Sequence, residues 1–229
     1  PVDREVSEAA LSPVGKTLAV IAYGEVFVRA LGKFEPTRRV TQNTAREQGL
    51  AWSPDGTKLY FSSDLDGTDS IYAAEVTLTN AEVKERYEAS LAPVTSGDIA
   101  PVTSPAATEE GAGDEDAEAE DSEEAEPKKK KGKNKDGAQE GPDPGQRWAD
   151  ALRFQVAPLI AGATQDTQPS PSPDGRHLAF RRGVGELWIW SFEEGQARPY
   201  IRGWDASLHW QWSPDGRWLA YSQQNRNFN

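Results

Sequence analysis

A four-residue turn recurs along this chain in two pairs that have the same internal spacing. Ser-Pro-Asp-Gly occupies residues 53–56, 172–175 and 213–216, and a degraded copy, Ser-Pro-Val-Gly, occupies residues 12–15. Ser12 and Ser53 are 41 residues apart, and so are Ser172 and Ser213. Proline presets φ for a type I turn, aspartate can bond back to the local backbone, and glycine closes the hairpin in the left-handed conformation. A period near forty residues predicts one structural unit used several times.

Apolar segments flank the turns on both sides, as expected for strand, tight turn, strand. The segments before and after the turns include Leu50–Trp52, Trp210–Trp212, Leu59–Phe61, Leu178–Phe180 and Leu219–Tyr221. Third and fourth strands are predicted at Glu25–Val28, Ser70–Ala73, Glu186–Trp190, Arg38–Thr41 and Arg198–Ile201. Four short antiparallel strands per period are typical of a β-propeller blade. Independent hairpins in a sandwich are the alternative, and the equal spacing disfavours them.

The sequence therefore predicts an all-β fold, an incomplete β-propeller of about three and a half four-stranded blades. Residues 1–79 form the first blade and part of the second. Residues 150–229 complete the second blade, form the third and begin the fourth. Residue 1 is not methionine, and one strand follows the last turn, so we expect a piece of a longer polypeptide.

Residues 80–149 interrupt the period and are predicted to be an insert between the third and fourth strands of the second blade. The insert begins with a helical pattern in which Asn80 can cap and Val83, Tyr87 and Leu91 share a face. Residues 109–140 then hold thirteen acidic and six lysine side chains. Such a segment cannot bury enough apolar surface to offset its ordering entropy, so we expect a disordered acidic and lysine-rich linker over residues 100–145.

Composition excludes several classes of function. The net charge is −12, of which −7 belongs to residues 109–140, so the rest of the chain is mildly acidic rather than basic. A nucleic-acid partner is not expected, because such proteins need a basic face to neutralise phosphates, and the lysine run is better explained as part of a solvated tether. No apolar run is long enough to span a membrane, and no cysteine can form a disulfide. We expect a cytoplasmic protein, with the periplasm as the alternative.

No residue is predicted to be catalytic, to ligate a metal or to bind a cofactor. The repeated serine has no Gly-x-Ser-x-Gly context, so a turn role is favoured over a nucleophile. Asp64, Asp66 and Asp69 resemble part of a calcium loop, but their place between two strands favours a hairpin. His177 and His209 have no partner at metal-ligand spacing.

Aromatic residues are the remaining candidates for a binding surface. Six of the eight tryptophans lie between residues 188 and 218. Large aromatic side chains commonly fill the space between propeller blades. A peptide-binding aromatic patch is the alternative, and the sequence leaves the binding residues unknown.

The turns and their flanks resemble the WD40-like propeller repeats of TolB and of tricorn protease. Trp-Ser-Pro-Asp-Gly stands at residues 52–56 and 212–216, while the third copy has Pro171 in place of tryptophan. Two stretches resemble tricorn-like proteases in particular, residues 8–28 and residues 212–227. A long charged insert between blades also fits bacterial tricorn-like peptidases better than TolB.

The tricorn resemblance implies a parent protein that is a large serine peptidase. In that family two propellers precede a PDZ domain and a catalytic domain, and the propellers guide peptides or unfolded polypeptides to the active site. The resemblance allows a homo-oligomeric parent and implies no cofactor, and no catalytic residue falls within this chain. The alternative is a TolB-like, non-enzymatic propeller scaffold that binds a protein partner, and a propeller ahead of an α/β-hydrolase peptidase is a third reading.

Overall fold

The computed structural model describes residues 5–33, 35–91, 143–203 and 207–222. Contacts divide the chain into one unit, Pro1–Ser90 with Gly141–Asn229, and a second unit, Leu91–Glu140. The second unit lies outside the described residues except for Leu91, so the predicted linker disorder stays a prediction there.

The described residues form three four-stranded antiparallel sheets and one two-stranded sheet, each with its strands in chain order. The first sheet contains β1 (Val6–Leu11), β2 (Thr17–Ala22), β3 (Glu25–Ala30) and β4 (Thr37–Arg39). The second contains β5 (Glu47–Trp52), β6 (Lys58–Ser63), β7 (Ser70–Thr79) and β8 (Ala151–Ile160). The third contains β9 (Asp166–Pro171), β10 (His177–Arg182), β11 (Glu186–Ser191) and β12 (Gln196–Ile201), and the fourth contains β13 (His209–Trp212) and β14 (Leu219–Ser222). The all-β, incomplete propeller is confirmed.

Each repeated turn joins the first strand of a sheet to the second and is held by its serine. In the second sheet the Ser53 hydroxyl donates to Asp55 at 2.5 Å and accepts from the Lys58 backbone N–H at 2.8 Å. The third and fourth sheets repeat this geometry from Ser172 and Ser213. The turn glycines have φ of 68° to 71°, a conformation in which a Cβ would be strained.

Adjacent sheets are joined by tryptophan side chains that immediately precede the turn serine. The Trp52 indole donates to the backbone oxygen of Ala10 at 3.0 Å. Trp212 makes the equivalent bond to the oxygen of Ser170 at 2.9 Å. Both acceptors lie two residues before the serine of the preceding turn, so the same bond joins the first sheet to the second and the third sheet to the fourth.

Side-chain size alternates across these junctions so that each holds one large group. The position seven residues after the turn serine faces the next sheet, and it is Ala19 in the first sheet and Ala179 in the third. These alanines share core clusters with Trp52 and Trp212, respectively. The second sheet has Tyr60 at this position, and the third sheet has Pro171 where the other two junctions have tryptophan. A large residue on either side thus fills each junction, as close packing requires.

Between β7 and β8, where the insert was predicted, the described residues form two helices. Helix α1 (Asn80–Leu91) was expected, but its cap is Thr79 rather than Asn80. The Thr79 hydroxyl accepts from the Glu82 N–H at 3.2 Å, and the Glu82 carboxylate accepts from the Thr79 N–H at 2.9 Å. This reciprocal pair is a capping box. No side chain of α1 is buried.

Helix α2 (Pro144–Ala149) was not identified from the sequence, although it lies within the predicted insert. The predicted disorder of residues 100–145 is wrong at its end, since Asp143, Pro144 and Gly145 cap and begin this helix. Asp143 caps it by accepting from the Gly145 N–H at 3.0 Å, and proline occupies its first turn. Trp148 on this helix is only 2% exposed, and its indole donates to the Gly56 oxygen at 2.9 Å. Its ring packs edge-to-face on Trp52, with centroids 5.0 Å apart. The helix thereby completes the core between the first two sheets.

We expect Trp148→Ala to lower the free energy of unfolding of the intact protein by about 3–5 kcal/mol, because it removes a large buried side chain and its hydrogen bond. Urea denaturation would measure the change. Tyr87→Ala in α1 is the matched control, since Tyr87 is 63% exposed and its loss should change stability by no more than about 0.5 kcal/mol. Equal effects of the two substitutions would contradict a core role for α2.

Two buried carboxylates occupy equivalent positions, six residues before the turn serine, but have different surroundings. Asp166 in the third sheet accepts two hydrogen bonds from Arg182, at 2.7 and 2.8 Å. Glu47 in the second sheet is equally buried, but the position equivalent to Arg182 is Ser63. Burial raises the pKa of Glu47, and the charges of Glu25 and Asp64 add to this, although hydrogen bonds from Ser63 and Asn43 oppose it.

Glu47→Gln should therefore stabilise the protein at neutral pH. Because the folded-state pKa of Glu47 is raised, its favourable contribution is present below the unfolded glutamate value of about 4.3 and is lost as pH rises through the folded value. The stability difference between variant and wild type should thus grow from pH 4 towards neutrality in a series of denaturation curves.

The contrasting substitution is Asp166→Asn. It should destabilise the fold by about 1.5–3 kcal/mol at neutral pH, because it weakens two charge-assisted hydrogen bonds to Arg182. A Glu47→Gln variant that is destabilised to the same degree at pH 7 would show that the surroundings stabilise the ionised Glu47 carboxylate. That result would contradict the raised pKa of Glu47.

Candidate functional site

One groove of about 320 Å³ is lined by the first strands of all the sheets. Glu8, Gly49, Gln168 and His209 line it, and each lies four residues before the serine of its turn. Residues from equivalent places in the four repeats therefore meet at one site, which we call the axial groove. No binding residues were predicted from the sequence, and the repeat spacing was the signal that could have found these four.

Irregular strand geometry shapes the axial groove. The pairing of β5 with β6 shifts register between Gln48 and Ala51, around Gly49, which has a φ of 71°. The pairing of β9 with β10 shifts at the equivalent place, where Gln168 has a φ of 56°. Left-handed backbone is strained for glutamine and persists where surrounding structure imposes it, often at functional sites. Such bulges also blunt the unpaired edges of the first strands.

Glu8 connects the first sheet to the second within the axial groove. Its carboxylate accepts hydrogen bonds from the backbone N–H of Gly49, at 2.8 and 2.9 Å, and from that of Leu50, at 3.0 Å. A Cβ on Gly49 would meet Pro169 Cδ at 3.2 Å, so little space remains behind this strand. Gln168 and His209 are exposed and can form hydrogen bonds to a ligand.

The residues singled out in the sequence are distributed around the sheets rather than gathered in a catalytic site. The turn serines bond to the aspartates of their own turns, consistent with the turn role. His209 lies in the axial groove, while the His177 ring stacks on Trp212 with centroids 6.4 Å apart. Trp52, Trp148 and Trp212 pack between sheets, as predicted for junction fillers.

The acidic loop between β6 and β7 behaves as a hairpin. The Gly67 N–H donates to the Asp64 oxygen at 2.8 Å, and Asp66 accepts from the Tyr72 hydroxyl at 2.5 Å. Burial and the Asp66 carboxylate raise the pKa of Tyr72 to about 12. Within the described residues, no group of three or more His, Cys, Asp or Glu side chains is arranged to hold a metal ion. No helix in that part of the chain is long and apolar enough to cross a membrane.

Comparison with solved structures relates this fold to TolB. The chain is similar to TolB from Acinetobacter baumannii, with a TM-score of 0.51 and 15% identity over 96% of this chain and 38% of that one. A putative TolB from Agrobacterium tumefaciens has a TM-score of 0.49, with 14% identity over 95% of this chain and 60% of that one. An auxiliary nutrient binding protein from Bacteroides thetaiotaomicron has a TM-score of 0.48, with 9% identity over 96% of this chain and 36% of that one.

The likeness to the Acinetobacter protein concerns the fold alone. This chain spans 38% of the length of that protein, less than two thirds, and the identity of 15% is low. No family model matches the sequence, and no curated protein matches it.

We expect Gln168→Gly to raise the free energy of unfolding by up to about 1 kcal/mol, because glycine adopts a positive φ without steric strain. The substitution also removes the side chain that Gln168 presents to the axial groove. Thermal unfolding would measure the gain, with Gln196→Gly in β12 as a control at which the glycine should instead destabilise. No gain at position 168 would show that the glutamine side chain stabilises the bulge.

Proposed function

We propose that this chain is part of a TolB-like propeller scaffold that binds an extended segment of a protein partner at the axial groove. The observation that carries the proposal is the meeting of four equivalent repeat positions, Glu8, Gly49, Gln168 and His209, in one concave site. A site built from several blades can contact successive residues of a ligand lying across them.

The chemistry of the axial groove suits a peptide. β1, β5, β9 and β13 are edge strands in their sheets. An extended segment can form main-chain hydrogen bonds to such edges outside the Gly49 and Leu50 N–H groups, which Glu8 already binds. Gln168 and His209 add side chains that can donate and accept hydrogen bonds. The TolB-like fold supports the scaffold reading of the sequence over its alternatives.

A narrower proposal is that the same blades guide peptides within a tricorn-like serine peptidase. It rests on the resemblance of residues 8–28 and 212–227 to that family. The coding sequence downstream of Asn229 tests it, since a PDZ-like domain and a serine-peptidase domain should both follow. Without those two domains the narrower proposal fails, while the scaffold proposal stands.

Photo-crosslinking tests the scaffold proposal. A photoreactive phenylalanine analogue placed at Gln168 or His209 of the intact protein should give the same discrete protein adducts in the producing cells. The same analogue at Tyr200, which is 55% exposed on the outermost strand of the third sheet, is the control and should not give them. Adducts at all three positions, or none at either axial position, would refute binding at the axial groove.

A further inference from the structure

The three junctions between neighbouring sheets differ in what lies beside the repeated turns. At the first junction helix α2 occupies the space, and Pro144 lies 3.7 Å from a Cβ built on Gly56. At the third junction the turns themselves meet, because a Cβ on Gly216 would lie within 2.9 Å of Asp174. At the second junction none of the described residues lies within 4 Å of a Cβ built on Gly175. A groove of about 640 Å³ opens there, and we call it the open groove.

The open groove matches the walls that hold α2 at the first junction. Gly175, Pro54 and Thr57 line it, and they are equivalent by repeat spacing to Gly56, Pro13 and Lys16. Gly56 supplies the oxygen that accepts the Trp148 indole N–H. The equivalent backbone oxygen in the open groove is that of Gly175, in the third turn.

The floor of the open groove is aromatic and apolar. Tyr60 and Phe192 lie with ring centroids 6.0 Å apart, and Pro171 and Pro173 complete the lining. Burial, together with the charges of Asp55 and Glu75, raises the pKa of Tyr60 to about 12. A flat aromatic side chain with one N–H donor complements such a floor.

The rim of the open groove is acidic. Burial opposes ionisation of Asp55 and Asp174, but hydrogen bonds from the turn serines and from following backbone N–H groups outweigh it and hold both pKa values below the usual range. Lys58 is the only basic side chain that lines the groove in the described residues, and it lies 3.8 Å from Glu75. The rim therefore favours a cationic neighbour to the aromatic group.

From these observations we propose that the open groove binds a short segment of a partner protein in which a basic residue precedes a tryptophan. The indole is seated as Trp148 of α2 is seated beside the first junction, and the basic residue lies at the acidic rim, whereas Arg147 of α2 pairs with Glu82 instead. Trp148 shows that a helical turn carrying an indole fits between two turns of this repeat, buried to 2% exposure. The site lies on the turn side of the second junction, shares no lining residue with the axial groove, and does not depend on the function proposed there.

The test uses a fluorescent peptide with the sequence of residues 143–150 and the change Asp143→Asn, because Asp143 pairs with Lys16 at the first junction and the open groove has Thr57 instead. Fluorescence anisotropy would measure its binding to the intact protein. Replacing the peptide tryptophan with alanine should weaken binding by about tenfold or more, the effect of removing an anchor side chain. Added salt should also weaken binding, because the rim is charged.

Matched protein variants locate the site. Thr57→Trp places an indole over the open groove and should weaken binding by about tenfold or more, since the occupant and the new side chain compete for one space. Arg176→Trp makes the same change at the equivalent position of the third turn, which does not line the groove, and should leave binding unchanged. Thermal unfolding would confirm that both variants are folded. If Thr57→Trp does not fold, Phe192→Ala replaces it, because this change removes part of the floor of the open groove and should also weaken binding.

Three outcomes would overturn the proposal. The wild-type protein could show no binding, the alanine peptide could bind as well as the tryptophan peptide, or Arg176→Trp could weaken binding as much as Thr57→Trp. The last result would place the peptide elsewhere, including at the first junction in exchange with α2. Loss of axial crosslinks at His209 would have no bearing on these measurements, so the two proposals fail separately.

Discussion

The sheets of this chain bury their apolar faces mainly against neighbouring sheets, so side-chain packing at these junctions is what stabilises the fold. A single large residue fills each junction, from one side or the other. Trp52 packs over Ala19, Trp212 packs over Ala179, and Tyr60 takes the large role where Pro171 replaces tryptophan. Because protein interiors are close-packed, the two residues that meet at each of the three junctions must match each other in size.

The same constraint accounts for the two candidate binding surfaces. Junction packing brings β1, β5, β9 and β13 together, and this creates the axial groove from residues that are equivalent in the repeat. Junction packing also decides what remains beside the turns. Trp52 packs edge-to-face on Trp148 of α2, whereas Tyr60 and Pro171 leave a groove of about 640 Å³. A repeat that is uniform in its backbone thus becomes specific through a few changes of side-chain size.

Local features of the fold could be predicted because they depend on neighbouring residues. The turns follow from proline, aspartate and glycine at fixed places, and the strands from the apolar segments around them. Helix α1 followed from its periodicity, although the cap was displaced by one residue because Thr79 and Glu82 bond to each other. Helix α2 was missed because six residues give no periodicity, and the Asp-Pro-Gly start signal lies beside a charged segment.

The amino-acid sequence by itself determined the repeat, the turn chemistry and the four-stranded unit, since in the first and third sheets all of these are fixed by contacts within about forty residues. In the second sheet β8 pairs with β7 across the insert, and the repeat spacing was what pointed to it. The tertiary structure decided which side chains share a site. Glu8 and His209 are about two hundred residues apart in the chain, and Trp148 reaches a turn more than ninety residues before it. Such meetings depend on how whole sheets pack, and packing depends on the shapes of both partners at once, which no local pattern records.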